Sequence, residues 1–369
     1  MNDFHQDTLD AFIPPLCWSL KVFYFQASRW SPQHKSVPRK IFVEPNGKIS
    51  SMKKVCLFLL SGCLAVSSAN AATIAENFST NPLQDGWRIF GNTNLFVWDS
   101  TNDVLDVTWD SSQPNSYFYH PLGTILTRND DFSLAFDLQL TDAQANGYGF
   151  ELAVGLFNFA EATNADFQRS TGNNSPDLVE FTYFPDVGYG ATVWPLLVDT
   201  NSVFNYNGSS DYAIYAPILG DWYHIVMTYT ASNQTMVTTM TDTNQTSSVT
   251  VVDPLDAAFT DFRVNTVSIS SYQDDGFGDS IYAQGVVNNI LVALPPPPIQ
   301  NMTGVFSNGA WQVQFYSQSN WLYTLQRTAD FQSWTNISVA TPGNAGNLFL
   351  PDTNPPSDKA FYRVSAGRP

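Results

Sequence analysis

Two carboxylates stand close together in Asp177-Leu178-Val179-Glu180-Phe181, a stretch whose apolar neighbours read as a strand. Hydrolysis of a glycosidic bond needs such a pair. One group protonates the leaving oxygen and the other attacks the sugar or activates water, at about 5–5.5 Å separation for retention. On a strand, residues i and i+2 share a face, and a bulge can bring a more distant position onto it. A third acid two places before Asp177 would complete the nucleophile and acid set, but that place is Ser175. Double displacement then has no carboxylate to form a glycosyl intermediate, so the strand is expected to be non-catalytic. Hydrolase or lyase chemistry through Glu180, with Asp177 or an acid from elsewhere, is the alternative.

Other catalytic constellations are thinner. All three cysteines (Cys17, Cys56, Cys63) precede Ala72, and beyond that point the only histidines are His120 and His224. No Gly-x-Ser-x-Gly elbow is present. Asp274-Asp275-Gly276-Phe277-Gly278-Asp279 is the best metal motif, because a glycine-bent loop can aim Asp274, Asp275 and Asp279 at one structural Ca2+. Its spacing is not that of an EF-hand loop. Aromatic residues are abundant, with 10 Trp, 16 Tyr and 27 Phe, and flat rings can stack on the C–H faces of sugars. Trp98, Trp109, Tyr183, Tyr189, Trp194 and His120 are the expected ligand-binding set. Trp98, Tyr189 and Trp194 lie nearer turns; Trp109 and Tyr183 lie in strands and could face either way.

An interior start sets the compartment. Met52-Lys53-Lys54 opens a short apolar run, Val55 to Leu60, that ends at Ser67-Ser68-Ala69-Asn70-Ala71. A basic start, a brief apolar centre and a small-x-small site are the marks of a bacterial secretory signal. The apolar run is too short for the roughly 20 residues of a membrane span. Residues 1–51 are therefore expected to be an over-extended start, 52–71 the signal, and the mature protein extracytoplasmic, secreted or at the cell surface. Leu60-Ser61-Gly62-Cys63 also resembles a lipobox, with lipidation at Cys63 as the minor alternative. The whole chain carries 16 Lys+Arg and 33 Asp+Glu. Eight of the bases and four of the acids precede Ala72, so 72–369 holds 8 bases and 29 acids, a net of −21. Such a charge repels nucleic acid and anionic membranes, and leaves neutral polysaccharides or glycans, cations and basic proteins as partners.

These side chains need a scaffold, and the pattern is all-β. Alternating or β-branched runs recur at Val104–Trp109, Phe132–Leu140, Tyr223–Tyr229, Val237–Met240, Val249–Val252, Val264–Ile269 and Val286–Val292, with Asn, Asp, Gly and Pro between them. Phe150 to Ala165 is the best stretch for a short helix, although its first half also works as a strand. The prolines Pro295 to Pro298 mark a semi-rigid linker at 295–299. It separates a domain sized for one large antiparallel sandwich, 72–294, from a smaller one, 300–369, with strand-like runs at Trp311–Phe315, Trp321–Arg327, Leu348–Leu350 and Ala360–Val364.

Several motifs support a resemblance. Trp222-Tyr223-His224-Ile225-Val226-Met227-Thr228-Tyr229, a polar turn, and Met236 to Met240 resemble the central hairpin of laminin G-like and concanavalin A-like jelly rolls. Gly285 to Val292 is similar to the closing strand of such domains, and Glu76-Asn77-Phe78 with Gly86-Trp87 to their opening. The Asp177–Glu180 stretch looks like the last two acids of the Glu-x-Asp-x-x-Glu strand of family 16 glycoside hydrolases, with Ser175 in place of the nucleophile. The resemblance implies an antiparallel concanavalin A-like sandwich that binds carbohydrate on its concave face. The tail, with Tyr323 to Thr328, Asp330 to Thr335 and Phe361 to Val364, resembles the small immunoglobulin- or fibronectin-like modules that end secreted bacterial proteins. Attachment to the surface, spacing or export is what its terminal position implies. The combined expectation is a secreted, non-catalytic, lectin-like protein, with a structural or adhesive surface protein as a further alternative.

Overall fold

A computed structural model of the chain describes residues 72–147, 150–169, 174–244, 247–274, 279–357 and 359–369. The secretory signal, the three cysteines and Asp275 lie outside the described residues. The described residues divide into two compact units, 72–297 and 298–369.

The first unit consists of strands β1 (Thr73–Glu76), β2 (Arg88–Phe90), β3 (Phe96–Asp99), β4 (Val104–Asp110), β5 (Ser116–Leu126), β6 (Phe132–Asn146), β7 (Leu152–Phe157), β8 (Leu178–Phe184), β9 (Thr192–Val198), β10 (Ala213–Ile214), β11 (Trp222–Thr230), β12 (Thr235–Asp242), β13 (Ser248–Pro254), β14 (Val264–Ser271) and β15 (Ser280–Ala293). One sheet runs β13-β12-β11-β6-β15-β4-β3, with β1 also paired to β15; the other runs β10-β9-β8-β7-β14-β5-β2. The pairings are antiparallel, and hairpin neighbours are interleaved with strands distant in sequence, such as β6 beside β15 and β5 beside β14. This is a concanavalin A-like jelly-roll sandwich.

Alternation positions the first sheet. Tyr223, Ile225, Met227 and Tyr229 of β11 point inward, as do Phe132, Leu134, Phe136, Leu138 and Leu140 of β6, while the residues between them are at least partly exposed. In β15 the inward set is Ile281, Ala283 and Val287, then Ile290 and Val292. The change of phase falls where the register slips between Asn288 and Leu291, with Asn289 at φ +50°. A bulge there returns the apolar residues to the core.

The second sheet does not alternate in this way. Every position of β7 and β8 is buried. Phe181 packs its ring against Phe136 of the facing sheet, 5.6 Å between centroids, so Val179, Phe181 and Tyr183 face the sandwich core. Glu180 and Thr182 face outward, where segments that include Phe167, Arg169, Phe204 and Tyr272 cover them. The stretch from Phe150 divides into β7 and a four-residue helix, α1 (Phe159–Ala162), capped by the Asn158 side chain.

The second unit contains β16 (Ile299–Ser307), β17 (Ala310–Ser317), β18 (Leu322–Thr328), β19 (Thr335–Asn336), β20 (Thr341–Pro342), β21 (Asn347–Asp352) and β22 (Phe361–Gly367). One sheet is β16-β17-β21; in the other, β18 pairs with β19, β20 and β22. This is a small immunoglobulin/fibronectin-like sandwich around Val313, Phe315, Tyr323, Leu325, Leu350 and Val364. Its Asp330-to-Trp334 motif is a structural turn. The Asp330 carboxylate accepts the backbone N–H of Gln332, and the Arg363 guanidinium lies 4.1 Å from the Trp334 ring centre.

Candidate functional site

The two carboxylates of the 177–180 stretch do not share a cleft. Glu180 is fully buried: its Oε1 accepts the Tyr272 hydroxyl, and its Oε2 lies 3.5 Å from Arg169 Nε. Arg169 also pairs with Glu151 at 2.8 Å, and all three charged groups are at most 4 % exposed. Burial raises the Glu180 carboxyl above its ordinary value, against the opposing pull of Arg169. Gly155 directly opposite makes room, because a Cβ there would stand 2.5 Å from the Glu180 Cα. Glu180 is enclosed in a buried ion cluster and presents no surface to a polysaccharide, which weighs against the alternative of hydrolase or lyase chemistry through it.

Asp177 precedes β8 with φ +61°, and its carboxylate accepts the Arg263 N–H at 2.8 Å. Burial pushes it up to about 6, while the Arg263 N–H and the Asn158 side chain offset part of that rise. The folded value lies above the ordinary 3.8, so the folded state holds the proton more tightly. The stability that this group contributes is therefore fully present below about pH 4 and is lost as pH rises from about 4 to about 6. Asn mimics the protonated acid, tolerates the left-handed backbone and still accepts the Arg263 N–H. Asp177→Asn is expected to add up to about 2–3 kcal/mol at pH 7.5 and almost nothing at pH 4. Urea unfolding of both proteins at the two pH values checks this.

The expected ligand-binding aromatics separate by burial. Trp109 and Tyr183 are corrections: they are 1 % and 5 % exposed and belong to the core, because the sheet register turns both inward. Trp98 packs partly against that core, and its indole N–H donates to Phe78 O at 2.8 Å. His120 lies against Trp87, 5.5 Å between ring centres, with Nδ1 2.8 Å from Pro121 O. Burial lowers its pKa, in keeping with a packed neutral ring.

Tyr189 and Trp194 do come together, and two tyrosines that sequence reasoning missed join them. Trp194, on the outward face of β9, lies 5.6 Å from Tyr212 and 6.0 Å from Tyr206, and Tyr189 lies 6.1 Å from Tyr212. Phe184 of β8 backs Trp194 at 6.1 Å. Tyr189 is 57 % and Tyr206 59 % exposed. The buried Trp194 Nε1 has no protein acceptor. The neighbouring Tyr212 side chain is the main cause that raises the Tyr189 hydroxyl to about 12. A segment after β9 positions Tyr206: Phe204 bridges to Val198, and Asn205 N–H donates to Leu197 O. The chain rejoins the β9 edge at β10, directly after Tyr212. In the sequence, the signal was the run of aromatics among Asn, Gly, Ser and Asp in Phe204-Asn205-Tyr206-Asn207-Gly208-Ser209-Ser210-Asp211-Tyr212.

A second depression, of about 560 Å3, opens on the outer face of the first sheet. There the His224 Nδ1–H donates to Asp137 Oδ1 at 2.6 Å, and the bulged Asn289 donates to Asp137 Oδ2 at 2.7 Å. Its other lining residues are Ala75, Glu76, Asn77, Ala135, Ile290 and Leu291. On the neighbouring strand His224 stands opposite Thr241, whose hydroxyl lies 3.0 Å from Ser248 Oγ.

For the metal motif, Asp274 follows β14, with its N–H donating to Ser111 O, and Asp279 precedes β15. Among the described residues, no group of three His, Cys, Asp or Glu side chains converges on one point, and no helix is long and apolar enough to cross a membrane.

No family model matches this chain, and no curated protein matches it. Among solved structures, similarity extends to a peanut lectin bound to a nine-residue peptide, at 14 % identity over 62 % of this chain and 100 % of the lectin, TM-score 0.40. A Lotus tetragonolobus seed lectin matches at 10 % identity over 61 % and 100 %, TM-score 0.38. The lectin I from Ulex europaeus, in complex with the methyl glycoside of α-L-fucose, matches at 14 % over 61 % and 98 %, TM-score 0.35. Likeness at this level says nothing of ligand, and the fold stated above rests on the strand pairings.

Proposed function

We propose that this is a secreted, non-catalytic carbohydrate-binding protein whose ligand surface is the Tyr189–Trp194–Tyr206–Tyr212 patch. The observation that carries the reading is the clustering of four aromatic rings at the edge of β9, two of them more than half exposed. Contiguous exposed rings of this kind are unusual on a sandwich that otherwise buries its aromatics, and they present amphipathic faces suited to recognition. Sugar C–H faces fit the rings. The exposed Tyr189 and Tyr206 rings carry hydroxyls that can serve as polar partners for a sugar. The net charge of −21 favours a neutral polymer over an anionic one. The buried Glu180 cluster supports binding without hydrolysis, and the second unit is suited to surface attachment.

The test is native gel migration of the protein through gels cast with different polysaccharides, stained afterwards for cleared zones. One neutral polymer is expected to retard it without clearing. Tyr189→Ala/Tyr206→Ala is expected to weaken that retardation at least tenfold, about 1.4 kcal/mol or more. Trp98→Ala should leave it unchanged. Retardation indifferent to the tyrosine pair rejects the patch, and clearing rejects the non-catalytic reading. No retardation by any polymer favours a structural or adhesive role.

A further inference from the structure

The charge that turns anionic polymers away belongs to one unit only. Of the 29 acids and 8 bases in 72–369, 72–297 holds 26 and 4, a net of −22. That leaves 298–369 with 3 and 4, a net of +1. Salt screens exposed charges beyond about 10 Å, so a surface is judged by the charges around it.

On the second unit Arg363 is held without a carboxylate. Tyr362, Val364 and Ala366 of β22 turn toward the core, which puts Phe361 and Arg363 on the outer face. The guanidinium stacks on Trp334, 4.1 Å from its ring centre, and its Nε donates to Gln326 Oε1 at 2.7 Å. Among the described residues no Asp or Glu pairs with it, whereas Arg327 of the same unit pairs with Asp352 at 2.7 Å. Neither Nη has an acceptor in the protein, and neither is enclosed. The Nη edge is therefore open and fixed in its plane, and two parallel guanidinium N–H groups fit a carboxylate.

The neighbouring amides are oriented as donors too. Gln326 stands opposite Arg363 on β18, and Asn336 stands opposite Gln326 on β19. Arginine can only donate, so the Gln326 oxygen faces it, and Gln326 Nε2 donates onward to Asn336 Oδ1 at 2.7 Å. The exposed Asn336 keeps its Nδ2 as a further donor. A turn adds a ring. Phe331 has φ +64°, rare for a bulky side chain, and its N–H donates to Thr328 Oγ1 at 3.0 Å. Its ring, 41 % exposed, lies 4.0 Å from Phe361 and 6.3 Å from Trp334. Asp330 beside it turns Oδ1 to the Thr328 hydroxyl and to the backbone N–H groups of Gln332 and Ser333. A strained position that displays a ring beside an open guanidinium points to recognition. A uronate sugar matches the set: a C–H face for the ring, a carboxylate for the fork and hydroxyls for the amide. An acidic peptide offers the carboxylate without the C–H face.

We infer that the second unit binds a carboxylated polysaccharide, of the uronate class, through Arg363, Phe331 and Asn336. This gives the surface attachment proposed for that unit a ligand class, and it does not rest on the Tyr189–Tyr212 surface.

The experiment is calorimetric titration of the protein with oligogalacturonate, its methyl ester, hexaglutamate and inorganic phosphate. Saturable heat is expected, tightest with oligogalacturonate and weakened by added NaCl. Esterification removes the carboxylate charge and Arg363→Gln removes the fork, and each is expected to weaken binding about tenfold or more. Arg363→Lys keeps the charge without the fork and recovers little of it. Phe331→Asn suits the left-handed backbone, so it keeps the fold and still weakens binding severalfold. Circular dichroism verifies that each variant folds. Tyr189→Ala/Tyr206→Ala leaves the heat unchanged, and Arg363→Gln leaves retardation by a neutral polymer unchanged. Absence of heat with oligogalacturonate overturns the site, as does parent-like binding by folded Arg363→Gln protein. Equal affinity for the methyl ester overturns the role of the carboxylate. Hexaglutamate or phosphate bound as tightly overturns the sugar and assigns the fork to acidic peptides or to anions at large. Heat lost only in the Tyr189→Ala/Tyr206→Ala protein assigns the uronate to the first unit and overturns the inference.

Discussion

Arg169→Met lowers the stability of the jelly roll by about 3–5 kcal/mol, a large fraction of what a domain of this kind possesses. The side chain is 4 % exposed and pairs with Glu151 at 2.8 Å and with Glu180 at 3.5 Å. Removing the guanidinium takes a charge partner from the fully buried Glu180 and from the 4 % exposed Glu151. The loss belongs to the uncompensated charges rather than to the pairing itself. Combining Glu151→Gln, Arg169→Met and Glu180→Gln is therefore expected to recover most of it. Urea unfolding of the single and triple variants measures the difference. A single variant within 1 kcal/mol of the parent contradicts the buried cluster.

Trp109→Ala has a comparable effect, about 3–5 kcal/mol, through the cavity it leaves between the sheets. Trp109 is 1 % exposed and sits among the core residues of β4 and its neighbours. Polysaccharide affinity per folded molecule should not change, because the side chain never reaches the Tyr189–Tyr212 surface. Thermal unfolding with affinity gels below the lowered Tm separates the two effects. A loss of affinity in folded protein would return Trp109 to the ligand-binding set.

Trp109 and Trp194 illustrate which part of the molecule the chain discloses. Each lies in a short β run beside threonines and apolar residues, and nothing local says which face it takes. The direction depends on pairing between residues far apart in the chain, Ala283 opposite Trp109 and Thr182 opposite Trp194. Where one face of a strand is wet, as in β6 and β11, alternation makes the element readable. Where both faces are covered, as in β7 and β8, the pattern reads as a plain apolar run. Glu180 within it then looks accessible, because its shield comes from Arg169 and Tyr272, remote in sequence. Tyr206 and Tyr212 escaped notice for a related reason. Their placement depends on a segment that adds itself to the edge of β9 without strand periodicity.

That segment has a consequence for how copies of the molecule coexist. The outermost strand of an open sheet offers unpaired N–H and C=O groups, and an uncovered one invites another chain to add on. Here the bridge between Val198 and Phe204, the hydrogen bond from Asn205 to Leu197 and the two-residue β10 occupy the open side of β9. The stretch that displays the tyrosines thus also keeps neighbouring copies from zipping together. Trimming 203–212 to alter glycan preference would uncover a template for self-association, so the patch is better re-engineered by side-chain exchange than by deletion.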